Sequence, residues 1–391
     1  MLITVVIFIV ILGVLVLIHE AGHFIVARRN GVPSEEFGFG FPPRIVGTYK
    51  DPSGKRKWIF GNKEIEQEIK DREETVYSLN LIPIGGFVKI KGEDGENKND
   101  PKSFASQSAW VRFKILFAGV GMNFVLAVVL FYAAFMLGLP EVIDDDAARS
   151  GTKIQIAGVA AETPAQNAGI QLGDEIVSII ENGKEMRLET ISQLLEITKR
   201  NEGAEIQMLV LHVGESEPTV LNITPRKEFP QNEGPLGIEI VRTAFVKHGP
   251  IESMFMAIKT TYSITMAIFA FLGSLILKIF TSQPVPVDVA GPVGIAVMTG
   301  QVTKMGIAFI LQFVALLSVN LAVINLLPFP ALDGGRIVFI GIEKIKGSPV
   351  SEKVEGIIHT FGFFVLIGIM ILVTVRDFAN FKILDKIQGL F

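Results

Sequence analysis

His19, Glu20 and His23 stand in the order His-Glu-x-x-His. Histidines four apart project from one face of a helix, so both imidazoles can reach one metal ion. The glutamate between them is placed to take a proton from water at that metal. The chemistry this spacing points to is metal-assisted hydrolysis. The remaining histidines are His212, His248 and His359, and the chain has no cysteine. Thiolate ligation is excluded, so a third ligand must come from His, Asp or Glu. His212 falls in a predicted strand and His248 in a linker, and both are poor choices. His359 opens a late apolar run. Asp333 follows another apolar run and precedes Gly334 and Gly335. It reads equally well as a metal ligand or as a turn residue that ends a helix, and the residues leave both readings open.

The element that must present the histidines is Leu2 to Ala27, an almost unbroken apolar run. As a helix it is ~39 Å long, enough to cross a hydrocarbon core of ~30 Å with some tilt. His19 lies roughly 13 Å before Arg28 along that axis, below the membrane surface. Ionisable groups at such depth are costly and are read first as functional. A cleaved signal peptide fits poorly, because the run lacks a basic start and continues into the His pair.

The chain has 391 residues, 49% of them hydrophobic, a mean hydropathy of +0.45 and a net charge of −4. This predicts a polytopic α-helical membrane protein and argues against a soluble enzyme. Residues 28–114 hold 16 Lys and Arg against 13 Asp and Glu, whereas residues 140–250 hold 10 against 18. Arg28, Arg29, Arg112 and Lys114 place the first connecting segment on the cytoplasmic side of the membrane, with the acidic segment outside. No basic, aromatic-interleaved surface suggests nucleic acid as a partner.

Four spans are expected, at residues 1–30, 111–140, 306–335 and 356–376. Residues 31–110 mix strand signals at Trp58–Phe60 and Tyr77–Ile90 with breakers at Gly38-Phe39-Gly40-Phe41-Pro42-Pro43. Ile82-Pro83-Ile84-Gly85-Gly86-Phe87 reads as a β-loop against or within the bilayer beside the His pair, or as an ordinary hairpin. Gly119 and Gly121 would let a helix approach the second span closely. Asn123 lines the site or bonds another helix. Residues 250–282 are apolar but carry Glu252, Lys259 and Lys278. Counting crossings assigns them to amphipathic helices on the outer surface.

Residues 151–241 resemble a PDZ domain. The residues that carry the likeness are Pro164-Ala165-Gln166-Asn167-Ala168-Gly169-Ile170, then Gly173-Asp174. Leu188 to Thr198 reads as the helix beside a peptide groove. Gly237-Ile238-Glu239-Ile240 reads as the carboxylate-binding strand, placed last as in circularly permuted bacterial forms. Such a groove would take a peptide tail as an added strand, or the domain would act as a steric filter.

His19-Glu20-x-x-His23 on a first span, the PDZ-like segment, and Asn325-x-x-Pro328-x-Pro330-x-x-Asp333-Gly334 together resemble the site-2 protease family of intramembrane zinc metalloproteases. The resemblance covers essentially the whole chain, with one PDZ domain where some relatives carry two. It implies Zn2+ held by His19, His23 and Asp333, with Glu20 as general base. It implies that Asn320 and Asn325 help to hold substrate. It also implies that Gly38, Phe39 and Gly40, and Gly85 and Gly86, belong to a membrane-re-entrant β-loop that meets substrate. The expected partners are the lipid bilayer and single-span membrane proteins, such as anti-sigma factors or remnant signal peptides. A non-catalytic PDZ scaffold has no use for Glu20. A metal transporter has little need of the PDZ segment.

Overall fold

In the computed structural model the described residues are 2–380, without 52, 62–73, 96–98, 146–150, 161, 182, 216, 231–232, 282–289 and 349. They form two compact units, Met1–Ala133 with Ile251–Phe391, and Ala134–Pro250.

In the first unit, α1 (Leu2–Arg29) contains no proline and ends in Arg28 and Arg29, whose charges suit a helix C-terminus. Gly31, at φ +76°, then reverses the chain. The antiparallel sheet that follows is built from β1 (Ser34–Lys50), β2 (Arg56–Phe60) and β3 (Val76–Ile90). β1 and β3 each fold back at a tip, so the sheet has more limbs than strands. Ser34 to Phe39 lie between Gly86–Ile90 on one side and Val76–Leu79 on the other. Arg44 to Thr48 pair with the far side of Tyr77–Asn80, and Val46 to Lys50 pair with β2. Gly40 (φ +80°) permits the fold-back, since a Cβ there would lie 2.6 Å from the Ile82 carbonyl oxygen. The tips pack along α1 at Gly13, Val16 and Leu17, above the His pair.

The next helix, α2 (Ala109–Leu137), was expected to stop at Pro140. It stops instead at Gly138, whose φ of +102° no other residue adopts easily. The later helices of this unit are α5 (Pro250–Phe280), α6 (Pro292–Met305), α7 (Ile307–Leu326), α8 (Asp333–Lys346) and α9 (Glu352–Asn380). Ile11 and Leu15 of α1 pack with Val314 of α7, flanked by Leu126 and Leu130 of α2. At one end Gly300 of α6 meets Thr4 of α1. Asp377 of α9 accepts the backbone N–H groups of Gly291 and Gly294, at 3.1 and 2.7 Å, and so caps the start of α6. Five helices among the described residues, α1, α2, α5, α7 and α9, are long and apolar enough to cross a membrane. The 250–282 segment is one continuous helix of 31 residues rather than several pieces. It buries only a stripe of small residues: Ser253, Ala257, Thr261 and Thr265. Asp333 begins a helix rather than ending the preceding span.

The second unit is wider than residues 151–241. Its antiparallel sheet runs β4 (Leu139–Val142), β10 (Ile238–Val246), β5 (Lys153–Val159), β6 (Glu175–Glu181), β8 (Ile206–Leu211), β9 (Thr219–Ile223), with β7 (Lys184–Arg187) paired to β6. Ile154, Ile156, Ile176, Met208 and Val210 alternate inward and meet Leu194 and Ile197 of α4 (Ile191–Arg200). The expected short helix is α3 (Pro164–Asn167), capped by Thr163. β4 pairs only with Thr243 to Val246. Among the described residues no strand pairs with the second side of β10 at Ile238–Val241, next to α4.

Candidate metal centre

The helical register of α1 puts both imidazoles on one face, and α8 brings its first residue to meet them. His19 Nε2 lies 3.0 Å from Asp333 Oδ2, and His23 Nε2 lies 3.3 Å from the same oxygen. The two Nε2 atoms are 3.2 Å apart. His23 Nδ1 donates to the Ile115 carbonyl of α2 at 2.8 Å, so its lone pair is on Nε2. Asn123 of α2 sets its amide nitrogen 3.2 Å from His19 Nδ1, while its buried oxygen has no donor. Exchanging these two atoms lets the oxygen take the Nδ1–H and puts the lone pair of His19 on Nε2 as well. Ser318 of α7 donates to the Asn123 carbonyl at 2.8 Å and braces this partner in turn. These are the outer hydrogen bonds that metal-ligating histidines use.

Three lone-pair atoms therefore face one another, and Asp333 Oδ2 is buried with no hydrogen-bond donor. Without a cation between them they repel. Their separations of 3.0 to 3.3 Å come close to the edge of a tetrahedron with bonds of about 2.0 to 2.1 Å, which is about 3.3 Å. The donor set, two imidazoles and one carboxylate, suits zinc. Space for an ion depends on Gly119, because a Cβ there would lie 2.3 Å from His23 Nε2 and 2.8 Å from His19 Cε1. Close approach of α1 and α2 also needs Gly22, whose Cβ would meet the Ala118 carbonyl oxygen at 2.3 Å. Gly121, expected to share this role, has nothing within 4 Å of where its Cβ would be.

Glu20 points to the opposite side of the cluster from α2's anchoring carbonyl, toward the sheet. Its Oε2 accepts the Val88 N–H of β3 at 3.1 Å. His359 lies outside the cluster. Its Nδ1 accepts the N–H of Ala331, a residue held at φ +74°, at 2.8 Å. Gly362 lets α9 press on Pro330, where a Cβ would sit 2.4 Å away. Together they fix the turn that delivers Asp333. Arg336 of α8 pairs with Glu93. Burial alone would lower the Arg336 pKa, but Glu93 and Asp333 outweigh it and raise it.

Asn320 is turned back on its own helix, bonding the Leu316 carbonyl at 3.0 Å. Asn325 is half-buried near the end of α7. The glycines of the β-loop have structural work: a Cβ at Gly38 would meet Phe87, and one at Gly86 the Gly38 carbonyl. Gly85 (φ +83°) and Phe39 pack on α1. His212 and His248 each bond a carboxylate, Asp174 and Glu141, within the second unit.

Peptidase family M50 matches residues 7–58 and 54–369 of this chain. The chain belongs to this family. Three relatives agree. Zinc metalloprotease RasP of Oceanobacillus iheyensis is 30% identical, covering 96% of this chain and 98% of that protein. RasP of Geobacillus kaustophilus is 28% identical over 96% and 97%. The regulator of sigma-W protease RasP of Bacillus subtilis is 29% identical over 96% and 98%. The M50 chain is thus a zinc metallopeptidase of the site-2 protease type, an intramembrane protease with several apolar helices and Zn2+ as its metal. What sequence reasoning missed in it was the support. Asn123 was seen as polar in a span, but its bond to His19 was not read. The Ile115 carbonyl and the Val88 N–H are backbone groups and leave no residue signature.

Proposed function

We propose that this M50 peptidase hydrolyses peptide bonds of single-span membrane proteins with His19, His23 and Asp333 as zinc ligands and Glu20 as general base. The observation that carries the reading is the convergence of three lone-pair atoms beside Glu20. When bound, zinc supplies Lewis acidity toward a carbonyl oxygen and water. Glu20 takes the proton of the attacking water and delivers it to the leaving amine. The Val88 N–H orients its carboxylate. A substrate helix satisfies its own backbone and hides its carbonyls, so it must unwind. The β3 edge around Gly86 to Val88 lies beside Glu20, and pairing the unwound segment there as an added strand offsets that cost. Asn320, Asn325 and the loop residues Gly38, Phe39, Gly40, Gly85 and Gly86 would border this path. The experiment is cleavage of a single-span test protein by Glu20→Gln, which should retain zinc and lose turnover. Near-normal turnover would remove the mechanism.

Four crossings are the reading we favour. The His248 N–H bonds the Phe135 carbonyl at 3.3 Å, so the chain re-enters α5 at the end where α2 finishes. Gly300 of α6 meets Thr4 of α1, so α6 lies at the outer end of α1 if Arg28 and Arg29 mark the cytoplasmic one. α5 would then lie along the outer surface, with Lys259 and Lys278 toward headgroups and Phe269, Phe271 and Leu275 toward lipid or protein. The open edge of β10 at Ile238–Ile240, beginning at Gly237, beside α4, supports a PDZ-type peptide groove. Orientation follows from Arg28 and Arg29: active site toward the cytoplasm of a bacterial inner membrane, the inserted unit outside. A membrane-anchored anti-sigma factor is the substrate class that the sigma-W relative's name favours, with remnant signal peptides second.

A further inference from the structure

One face of the sheet is covered by α1 only at its Phe37–Tyr77 end, where Phe24 packs, and lies open across β2. Opposed residues in neighbouring strands share a face, and so do every second residue along each strand. Leu79, Val46 and Phe60 form one row across it, and Tyr77, Thr48 and Trp58 form the next. Lys50 and Arg56 form the third. Trp58 is 66% exposed and Phe60 67%, with Tyr77, Leu79 and Leu81 exposed beside them. The reverse face is closed over Tyr49, Ile59 and Val76.

The rows are graded. Beginning at the tip near Leu81, they run from apolar, through aromatic, to basic. Lys55, in the turn between β1 and β2, adds to the basic end, while Lys57 opposes Tyr49 on the reverse face, 3.8 Å from Asp51. The grading follows the axis of α1. Phe24 of α1 packs on Tyr77 with ring centroids 6.0 Å apart, which places the Trp58 row about one helical turn before Arg28. The next row is ~6.8 Å further on, and one helical turn is ~5.4 Å. The Lys50–Arg56 row therefore lies close to the level where α1 turns from apolar to Arg28 and Arg29. Hydrocarbon, aromatic belt and anionic headgroups follow one another in this order in a membrane leaflet.

We propose that this ribbon, Arg44 to Phe60, is an interfacial anchor that binds anionic lipid. Phe60 and Leu79 sit in the acyl region, and Trp58 and Tyr77 at the boundary. Lys50, Lys55 and Arg56 hold phosphate headgroups of the leaflet at the Arg28 end of α1. The anchor sets the depth of the sheet, and with it the depth of the β3 edge beside Glu20. It requires only that the chain is a membrane protein and does not depend on the assignment of the zinc ligands.

The chain has two tryptophans, so Trp110→Phe leaves Trp58 as the only one. The full chain carrying this change is placed in phosphatidylcholine vesicles with a minor fraction of phosphatidylglycerol. Trp58 fluorescence is then read against nitroxide lipids labelled at the same shallow position on either headgroup. Labelled phosphatidylglycerol should quench more strongly than labelled phosphatidylcholine. Changing Lys50, Lys55 and Arg56 together to Gln should abolish that difference, at least about fivefold in apparent lipid affinity, while zinc content stays unchanged and reports an intact fold. Quenching of Trp58 by aqueous iodide in place of lipid would overturn the anchor. Equal quenching by the two headgroups in the parent chain would overturn the anionic selection.

Discussion

Gly119 is where two opposed effects meet on one residue. Alanine is the better helix former by about 1 kcal/mol, so propensity alone would make Gly119→Ala stabilising in α2. Its Cβ, however, would stand 2.3 Å from His23 Nε2. We expect the variant to keep its helical content while its zinc affinity falls at least about tenfold, measured by metal content after dialysis against a graded chelator. Full zinc occupancy would mean that the imidazoles have room to move aside. The same assay separates Asp333 from His359. Asp333→Ala should lose zinc and activity together. His359→Ala removes the acceptor of the Ala331 N–H and should keep zinc, with a loss of stability of about 1 to 3 kcal/mol from the unpaired amide. At this scale the sequence is legible for side chains with a spacing rule. His19, Glu20 and His23 announce themselves, but Asp333 stands far from them in sequence and its residue type is equally at home in a turn. Only packing of α8 against α1 distinguishes the two readings.

Among the elements, α4 shows how a helix end is held by a distant residue. Thr190 and Gln193 form a capping box at its start. Asp145 adds bonds from the N–H groups of Ile191 and Ser192, at 2.5 and 2.9 Å, and from the Ser192 hydroxyl at 2.6 Å. Burial would raise the Asp145 pKa, but these hydrogen bonds outweigh it and lower it. A depressed folded pKa contributes stability above the unfolded value of about 3.9 and loses it as pH falls through the folded value. Asp145→Ala should therefore destabilise the second unit by about 0.5 to 2 kcal/mol at neutral pH, with the difference shrinking in acid. A thermal unfolding series over pH checks both parts, and a constant difference down to low pH would contradict the assignment. The box is visible in Thr190-x-x-Gln193, whereas Asp145 is not, because nothing local ties it to α4. Two strands of the curled sheet, β2 and β3, were legible because alternation is local, whereas β1 was hidden by its Gly and Pro breakers. The double pairing of β1 and β3 depends on fold-backs at Gly40 and Gly85, which a linear pattern does not carry.

At the scale of the whole molecule, the second unit is inserted between α2 and α5, and all the cluster residues lie in the first. Replacing Ala134–Pro250 by a short linker should leave zinc bound and a short-tailed substrate cleaved, with substrate choice widened. A folded, zinc-loaded deletion that cleaves nothing would contradict this. The crossings are tested by cysteine labelling, made clean by the cysteine-free chain. Gln283, the natural position for the label, lies outside the described residues, and Thr281 at the end of α5 serves instead. A cysteine there should react from the outer side, and reaction only from the cytoplasm would establish a fifth crossing. Hydropathy does not decide this, because α5 is less apolar than α1, α2, α7 and α9 yet still long and apolar enough to cross. The short α6, with Gly294 and Gly300 among its 14 residues, carries no such signal.

His19 and His23 ride on the first helix, and Asp333 opens α8. In the living cell this distance along the chain becomes an interval of time. The histidines leave the ribosome first, and at about 5 to 20 residues per second the carboxylate follows roughly a quarter of a minute to a minute later. On the proposed ligand set, the nascent chain through that interval would hold two imidazoles and no third ligand. A hydrolase inserted among other freshly made membrane segments would thereby be kept inactive until most of it had been made, and a fragment broken off before Asp333 would stay so.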